Sequence, residues 1–187
     1  MAKRAQMHDS FCPGRFDGEP GCGPLAACAV GQRRVAARID EGVLWLARGL
    51  GLGLVPRAPG TAGSLLGIPL FLLVHRQGWP VAVECAIVAV FVLLACAIAG
   101  RAEKILGTHD SGQIVIDEIA GMWVALLGHP VGWESILVVF VIFRILDIWK
   151  PGPIRWLDRR VPGGAGVVVD DVASGAIASI LAWGIGF

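Results

Sequence analysis

An all-α, multi-pass membrane protein is the fold class this sequence predicts, and three observations predict it. Hydrophobic residues make up 55% of the 187-residue chain, and the mean hydropathy of +0.68 lies well above that of an ordinary soluble domain. Long uncharged stretches recur at 65–74, 119–131, 135–143 and 172–187, and 77–100 is broken only by Glu84. Charges collect in alternate connections. Lys and Arg total 16 against 15 Asp and Glu, for a net charge of +1. That balance offers no basic face to a nucleic acid, so no nucleic-acid partner is expected.

The elements follow in order. The first forty residues contain Lys3, Arg4, Arg15, Arg33, Arg34 and Arg38, several Gly and Pro, and no stretch of signal-peptide character. Residues 1–40 are therefore expected to be a mobile, basic, cytoplasmic extension, and residues 41–187 the membrane domain. Residues 58–64, also uncharged, lead into the first span, and Thr61 or Ser64 is expected to cap that helix. Only 77–100 reaches the roughly 20 residues of a full crossing. Four to five short helices are thus expected, some tilted or shielded by neighbours.

Alternate threading with the basic head inside leaves Arg76 as the one basic residue in the outer connections. Arg57, Arg101, Lys104, Lys150, Arg155, Arg159 and Arg160 all fall inside. This is the positive-inside pattern, with the N-terminus in the cytoplasm and the C-terminus outside. Trp79, Trp133, Trp149 and Trp156 fall near span ends, as interfacial aromatics do. Five cysteines, an odd number, argue against a disulfide scaffold and for a reducing side.

This threading puts Asp117 and Glu118 at the start of the third span, Asp147 just past the fourth, and Asp170 and Asp171 at the start of the fifth. All five carboxylates reach the cytoplasmic interface, beside the Pro59-Gly60-Thr61 turn whose backbone N–H groups suit an anion. Clustered carboxylates repel and are costly to desolvate without a cation. A hard divalent ion, Mg²⁺ by preference, takes oxygen ligands and a substrate phosphate. Arg144 and Lys150, at minus three and plus three from Asp147, offer cations to phosphate oxygens. A phosphorylated lipid is the substrate class these features suggest.

Plainer readings compete for each part. Arg144 and Asp147 form an ordinary i, i+3 ion pair; Asp170 with Asp171, and Asp117 with Glu118, serve as caps or first-turn acids. Arg155 and Arg160 read best as contacts to anionic lipid, His109 with Asp110 as a solvated loop pair, and Gly163, Gly164 and Gly166 as a turn. Residues 28–34, CAVGQRR, match a Cys-x5-Arg phosphatase spacing, but lack the following Ser or Thr and the strand-loop-helix context.

The blocks GLGLVPRAPGTAGSLLGIPL (51–70), HDSGQIVIDEIAGMWVALL (109–127) and FVIFRILDIWKPGPIRWLDRRVPGGAGVVVDDVASGAIASIL (140–181) resemble the phosphatidylglycerophosphatase A family in order and spacing. The resemblance covers about residues 42–183. It implies a multi-pass enzyme of the bacterial cytoplasmic (inner) membrane, its site facing the cytoplasm. Such an enzyme removes the terminal phosphate of phosphatidylglycerophosphate with Mg²⁺, giving phosphatidylglycerol. The family's acidic positions fall on Asp117, Glu118, Asp147, Asp170 and Asp171, and its basic ones on Arg144, Lys150, Arg155 and Arg159; Thr61 and Ser64 also match. Gly152 departs from the bulky aromatic the family often has there.

On this reading the metal ligands come from Asp117, Glu118, Asp147, Asp170 and Asp171, and the catalytic groups are Asp147, Lys150, Asp170 and Asp171. Arg144, Lys150, Arg159, Thr61 and Ser64 hold phosphate. Water attacks directly, or Asp147 or Asp170 acts as nucleophile. The rival from another class is a small ion or proton transporter, which would spread its carboxylates through the bilayer depth. A CDP-alcohol phosphotransferase is disfavoured because its long Asp-Gly-Ala-Arg pattern is absent.

Overall fold

The structure, a computed structural model, describes residues 24–108, 111–152, 154, 156, 160, 161 and 163–186, with side chains from Val35 onward. Among them are six α-helices and no strand: α1 (Pro24–Ala47), α2 (Pro59–His75), α3 (Val81–Leu106), α4 (Ile116–Leu126), α5 (Trp133–Trp149) and α6 (Gly164–Gly184). A 3₁₀ turn, Leu52–Leu54, joins α1 to α2. The chain divides into two units, Met1–Ala36 and Ala37–Phe187. The first is described only as the opening of α1, and all that follows concerns the second.

The shortest helix organises the rest. α4 has 11 residues, nine of them buried, and it packs against α2, α3, α5 and α6. At 1.5 Å per residue it spans ~17 Å, far short of a ~30 Å hydrocarbon core. The expected span at 119–131 is therefore an interior helix. It starts earlier, at Ile116, and stops at Leu126 because Leu127 turns extended and Gly128 takes φ 78° ahead of Pro130.

By length and composition, α3 and α6 can cross a membrane; α2 is apolar but has 17 residues. Leu93 on α3, Ile148 on α5 and Ile180 on α6 are each at least 70% exposed. Apolar side chains presented outward in such numbers suit lipid better than water.

Three expected helix starts and ends move. α6 begins at Gly164, after Gly163 with φ 74°, because the uncharged run GAGVVV continues the buried face toward Val168. Asp170 and Asp171 therefore sit nearly two turns inside α6, and the capping explanation for them fails. α5 continues to Trp149, which places Asp147 in its last turn rather than past it. α2 starts at Pro59 with Ala58 as an uncapped N-cap, and Ser64 Oγ donates back to Gly60 O at 2.9 Å. Neither Thr61 nor Ser64 caps the helix.

Two clusters form the core. Phe71, Met122, Trp123, Leu126, Val139 and Phe143 fill the space among α2, α4 and α5, with Phe91 stacked on Trp123 at 4.4 Å between centroids. The other is built mostly of small residues, Ala95, Ala99, Ala102 and Ala120 with Val168, which let helix backbones approach closely. Beneath the site, Val115 N–H donates to Ala47 O (2.9 Å) and Arg48 Nη2 to Gln113 Oε1 (2.6 Å). These bonds clamp the segment that aims α4.

Candidate active site

Four helices, α2, α4, α5 and α6, bring side chains together at one end of the molecule. Arg144 near the C-terminus of α5 reaches the N-terminus of α2, donating from Nη2 to Thr61 Oγ1 (3.3 Å) and from Nη1 to Ser64 Oγ (3.4 Å) and to Asp147 Oδ2. Lys150, the left-handed C-cap of α5 at φ 41°, donates from Nζ to Asp170 Oδ2 on α6. The expected clamp of Arg144 and Lys150 on opposite sides of Asp147 is thus divided between two carboxylates.

The remaining acids form a third arrangement. Asp117, Glu118 and Asp171 each present a carboxylate oxygen such that the three lie within 4.8 Å of one another. Asp117 and Asp171 are buried, and Glu118 N–H donates to Asp117 Oδ1 (3.1 Å). Asp147 stands close enough to repel both Glu118 and Asp171. Glu118 Oε2 is buried without a hydrogen-bond partner. A buried carboxylate oxygen left bare beside two further carboxylates is a donor set that fits a hard divalent cation.

Backbone approach produces this convergence. A Cβ on Gly175 of α6 would strike the Gly121 carbonyl oxygen of α4, and one on Gly121 would meet Asp171 O at 2.7 Å. The two helices run in the same direction, so one turn back from the crossing on each stand Asp117 and Asp171, four residues before their glycines. The Asp-x₃-Gly spacing is written twice in the sequence, and it was the signal available for this contact. On α2, a Cβ on Gly60 would collide with Glu118 Oε1 and lie 3.3 Å from Arg144 Nη1. Only glycine lets the first turn of α2, with its unpaired N–H groups, close over the acidic cluster.

The other expected residues separate clearly. Thr61, Ser64, Asp117, Glu118, Arg144, Asp147, Lys150, Asp170 and Asp171 lie at this end of the fold. Arg155, Arg159, His109 and Asp110 lie outside the described residues, as do Cys12 and Cys22. At the opposite end His75 Nδ1 and Glu84 Oε1 are 3.0 Å apart, and His129 Nε2 and Ser179 Oγ 2.9 Å apart.

Among the described residues the fold is all-helical, with two helices of membrane-crossing length and a carboxylate cluster faced by Arg and hydroxyl groups, which is compatible with the class of membrane-associated helical proteins. Residues 45–185 match the family model of phosphatidylglycerophosphatase A. The chain belongs to that family. It is 42% identical over 142 residues to phosphatidylglycerophosphatase A of Escherichia coli K12, covering 75% of this chain and 81% of the relative. The Haemophilus influenzae protein of the same name is 39% identical over 142 residues, covering 75% and 86%. A Bacteroides thetaiotaomicron protein, provisionally named a phosphatidylinositol-3-phosphatase, is 36% identical over 142 residues, covering 71% and 86%. No solved structure matches.

Proposed function

We propose that this protein is a lipid phosphatase that hydrolyses the terminal phosphomonoester of phosphatidylglycerophosphate to phosphatidylglycerol and inorganic phosphate. In this reading it works as a multi-pass protein of the bacterial inner membrane, with its site facing the cytoplasm. One observation carries it within the family: the Asp117, Glu118 and Asp171 oxygens gather beside Arg144, Thr61 and Ser64. Cation ligands thus stand next to phosphate-type donors. The family match supports phosphatase chemistry, and no comparison favours the transporter reading.

Asp117, Glu118 and Asp171 would hold Mg²⁺, with Asp147 and Asp170 beside them. When bound, that ion offsets phosphate charge and polarises the phosphoryl group. Arg144 donates to nonbridging oxygens in a planar fork that Lys cannot reproduce. The Thr61 and Ser64 hydroxyls and the first N–H groups of α2 complete the cradle, and Lys150 adds positive charge. Arg159 is assigned the same supporting role by family position. Positioning and electrostatics supply most of the rate in such transfers.

Hydrolysis forms a bond from water oxygen to phosphorus and breaks the bond from phosphorus to the glycerol oxygen. Asp147 takes the water proton once Arg144 turns to phosphate, and passes it to the departing glycerol oxygen, which leaves as the alcohol. The competing route uses Asp147 or Asp170 as nucleophile; ¹⁸O from labelled water entering a carboxylate before phosphate in a single turnover would establish it.

The deciding assay is phosphate release by the purified full-length protein in detergent micelles, with Mg²⁺ and with excess chelator. Phosphatidylglycerophosphate, phosphatidic acid and phosphatidylinositol 3-phosphate are compared. Metal-dependent release fastest from phosphatidylglycerophosphate is expected; folded protein that releases phosphate from none of them would refute the reading.

A further inference from the structure

The side of the molecule next to Arg144 carries two apolar grooves that share one residue. The first, about 360 Å³, lies between α2 and α5 and is lined by Leu65, Ile68, Trp133, Ile136, Leu137 and Phe140. The second, also about 360 Å³, continues along α5 from Phe140 past Arg144 to Ile148 and Trp149. Phe140 lines both. Arg144 is the one charged side chain in either, and it is the same Arg144 that donates to Thr61 and Ser64.

Helix geometry explains why the groove leads to the phosphate donors. On α2, Leu65 and Ile68 follow Thr61 by four and seven residues; on α5, Phe140 and Leu137 precede Arg144 by four and seven. Those intervals return to the same helix face. Thr61 and Arg144 thus stand at the head of two apolar stripes that run away from the site together, along a seam where α2 and α5 pack only lightly. Trp133, near the far end, lies eleven residues before Arg144. That distance is ~17 Å along the helix, about half the ~30 Å hydrocarbon thickness, and so one leaflet deep.

We propose that this seam is the acyl-chain track of the substrate: an acyl chain of the lipid phosphomonoester lies against Ile68, Leu137 and Phe140 while Arg144 takes the phosphate. The proposal rests on the phosphatase reading for the identity of the lipid. General lipid solvation would cover α3 and α6 equally; what marks this groove is its continuity with Arg144. Its lining contributes to recognition of chain length, whereas the carboxylates do the chemistry.

The test uses full-length protein in phospholipid nanodiscs and a non-hydrolysable phosphonate analogue of dipalmitoyl phosphatidylglycerophosphate with a diazirine midway along one chain. Light-driven labelling is expected on Ile68, Leu137 or Phe140, and lost in Leu137→Trp but kept in Leu93→Trp, whose site is exposed on α3. In parallel, Leu137→Trp should lower kcat/KM for the dipalmitoyl substrate about tenfold, the scale on which a hydrophobic pocket discriminates, and leave the dihexanoyl substrate unchanged. Ile68→Phe repeats both comparisons should Leu137→Trp fail to fold by gel filtration. Label no stronger in the seam than that from a diazirine-bearing dipalmitoyl phosphatidylcholine overturns the proposal, whatever the assay shows. So does equal loss of activity on both chain lengths. Seam labelling without phosphate release from any substrate would keep the track and reject the phosphatase reading.

Discussion

Two helix seams in this molecule are built in opposite ways. Between α4 and α6, Gly121 and Gly175 bring backbone against backbone, leaving no room for a side chain. Between α2 and α5, Leu65, Ile68, Leu137 and Phe140 hold the helices apart and leave a groove. The closed seam fixes charged groups one turn away, where a small displacement would separate the clustered carboxylates. The open seam keeps apolar space beside Arg144. Small residues thus serve precision, and large ones serve access.

Removing the groups that the closed seam positions should have the largest effect. Asp171→Asn removes one charge from the three-carboxylate cluster while keeping its shape, and phosphate release should fall by about 10³-fold, the upper range for loss of one key electrostatic group. Added Mg²⁺ should not restore it. Activity within tenfold of the parent would remove Asp171 from the site.

Next comes the residue that joins the two seams. Arg144→Ala should reduce kcat/KM about 10²-fold, and Arg144→Lys should recover only part of this, since one ammonium nitrogen cannot occupy both the Nη1 position that reaches Asp147 and Ser64 and the Nη2 position that reaches Thr61. Equal activity of Lys and Arg would show that charge alone matters there.

The seam itself is tested by Gly175→Ala. Its methyl group would overlap the Gly121 carbonyl and approach Ala125 N to 3.3 Å, so a loss of about 1–3 kcal/mol is expected from overpacking. Unfolding in detergent followed by helicity measures it, and activity should drop with it as Asp117 and Asp171 part. An unchanged midpoint would mean that the crossing relaxes at no cost.

The smallest effect belongs to Arg101→Ala. Arg101 Nη2 donates to Asp40 Oδ1 at 2.8 Å, but both side chains are substantially exposed. A stability change below about 1 kcal/mol and unaltered phosphate release are expected, because exposed pairs are screened by solvent. A larger loss would tie α1 to the site more firmly than its contacts indicate.

Hydropathy and charge placement by themselves determined the helical class, and they marked Asp117, Glu118, Asp147, Asp170, Asp171, Arg144 and Lys150 as one constellation. Burying a charge is costly enough that its mere presence beside an apolar run is informative. Helix limits were less legible. Val167 and Val168 read equally well as loop or helix, and only their burial against the neighbouring helices carries α6 back to Gly164. The length of α4 was hidden for a similar reason, since an uncharged run records burial without saying whether lipid or protein provides it. The Arg144–Asp147 pair was legible as an i, i+3 spacing, but the pairing of Lys150 with Asp170 was decided by tertiary structure alone. Lys150 adopts a left-handed conformation at the end of α5 and turns to Asp170, while Arg144 keeps Asp147. Spacing along one helix fixes which side chains share a face; it says nothing about the rotation and crossing of the next helix. Glycine contacts at Gly60, Gly121 and Gly175 set those here.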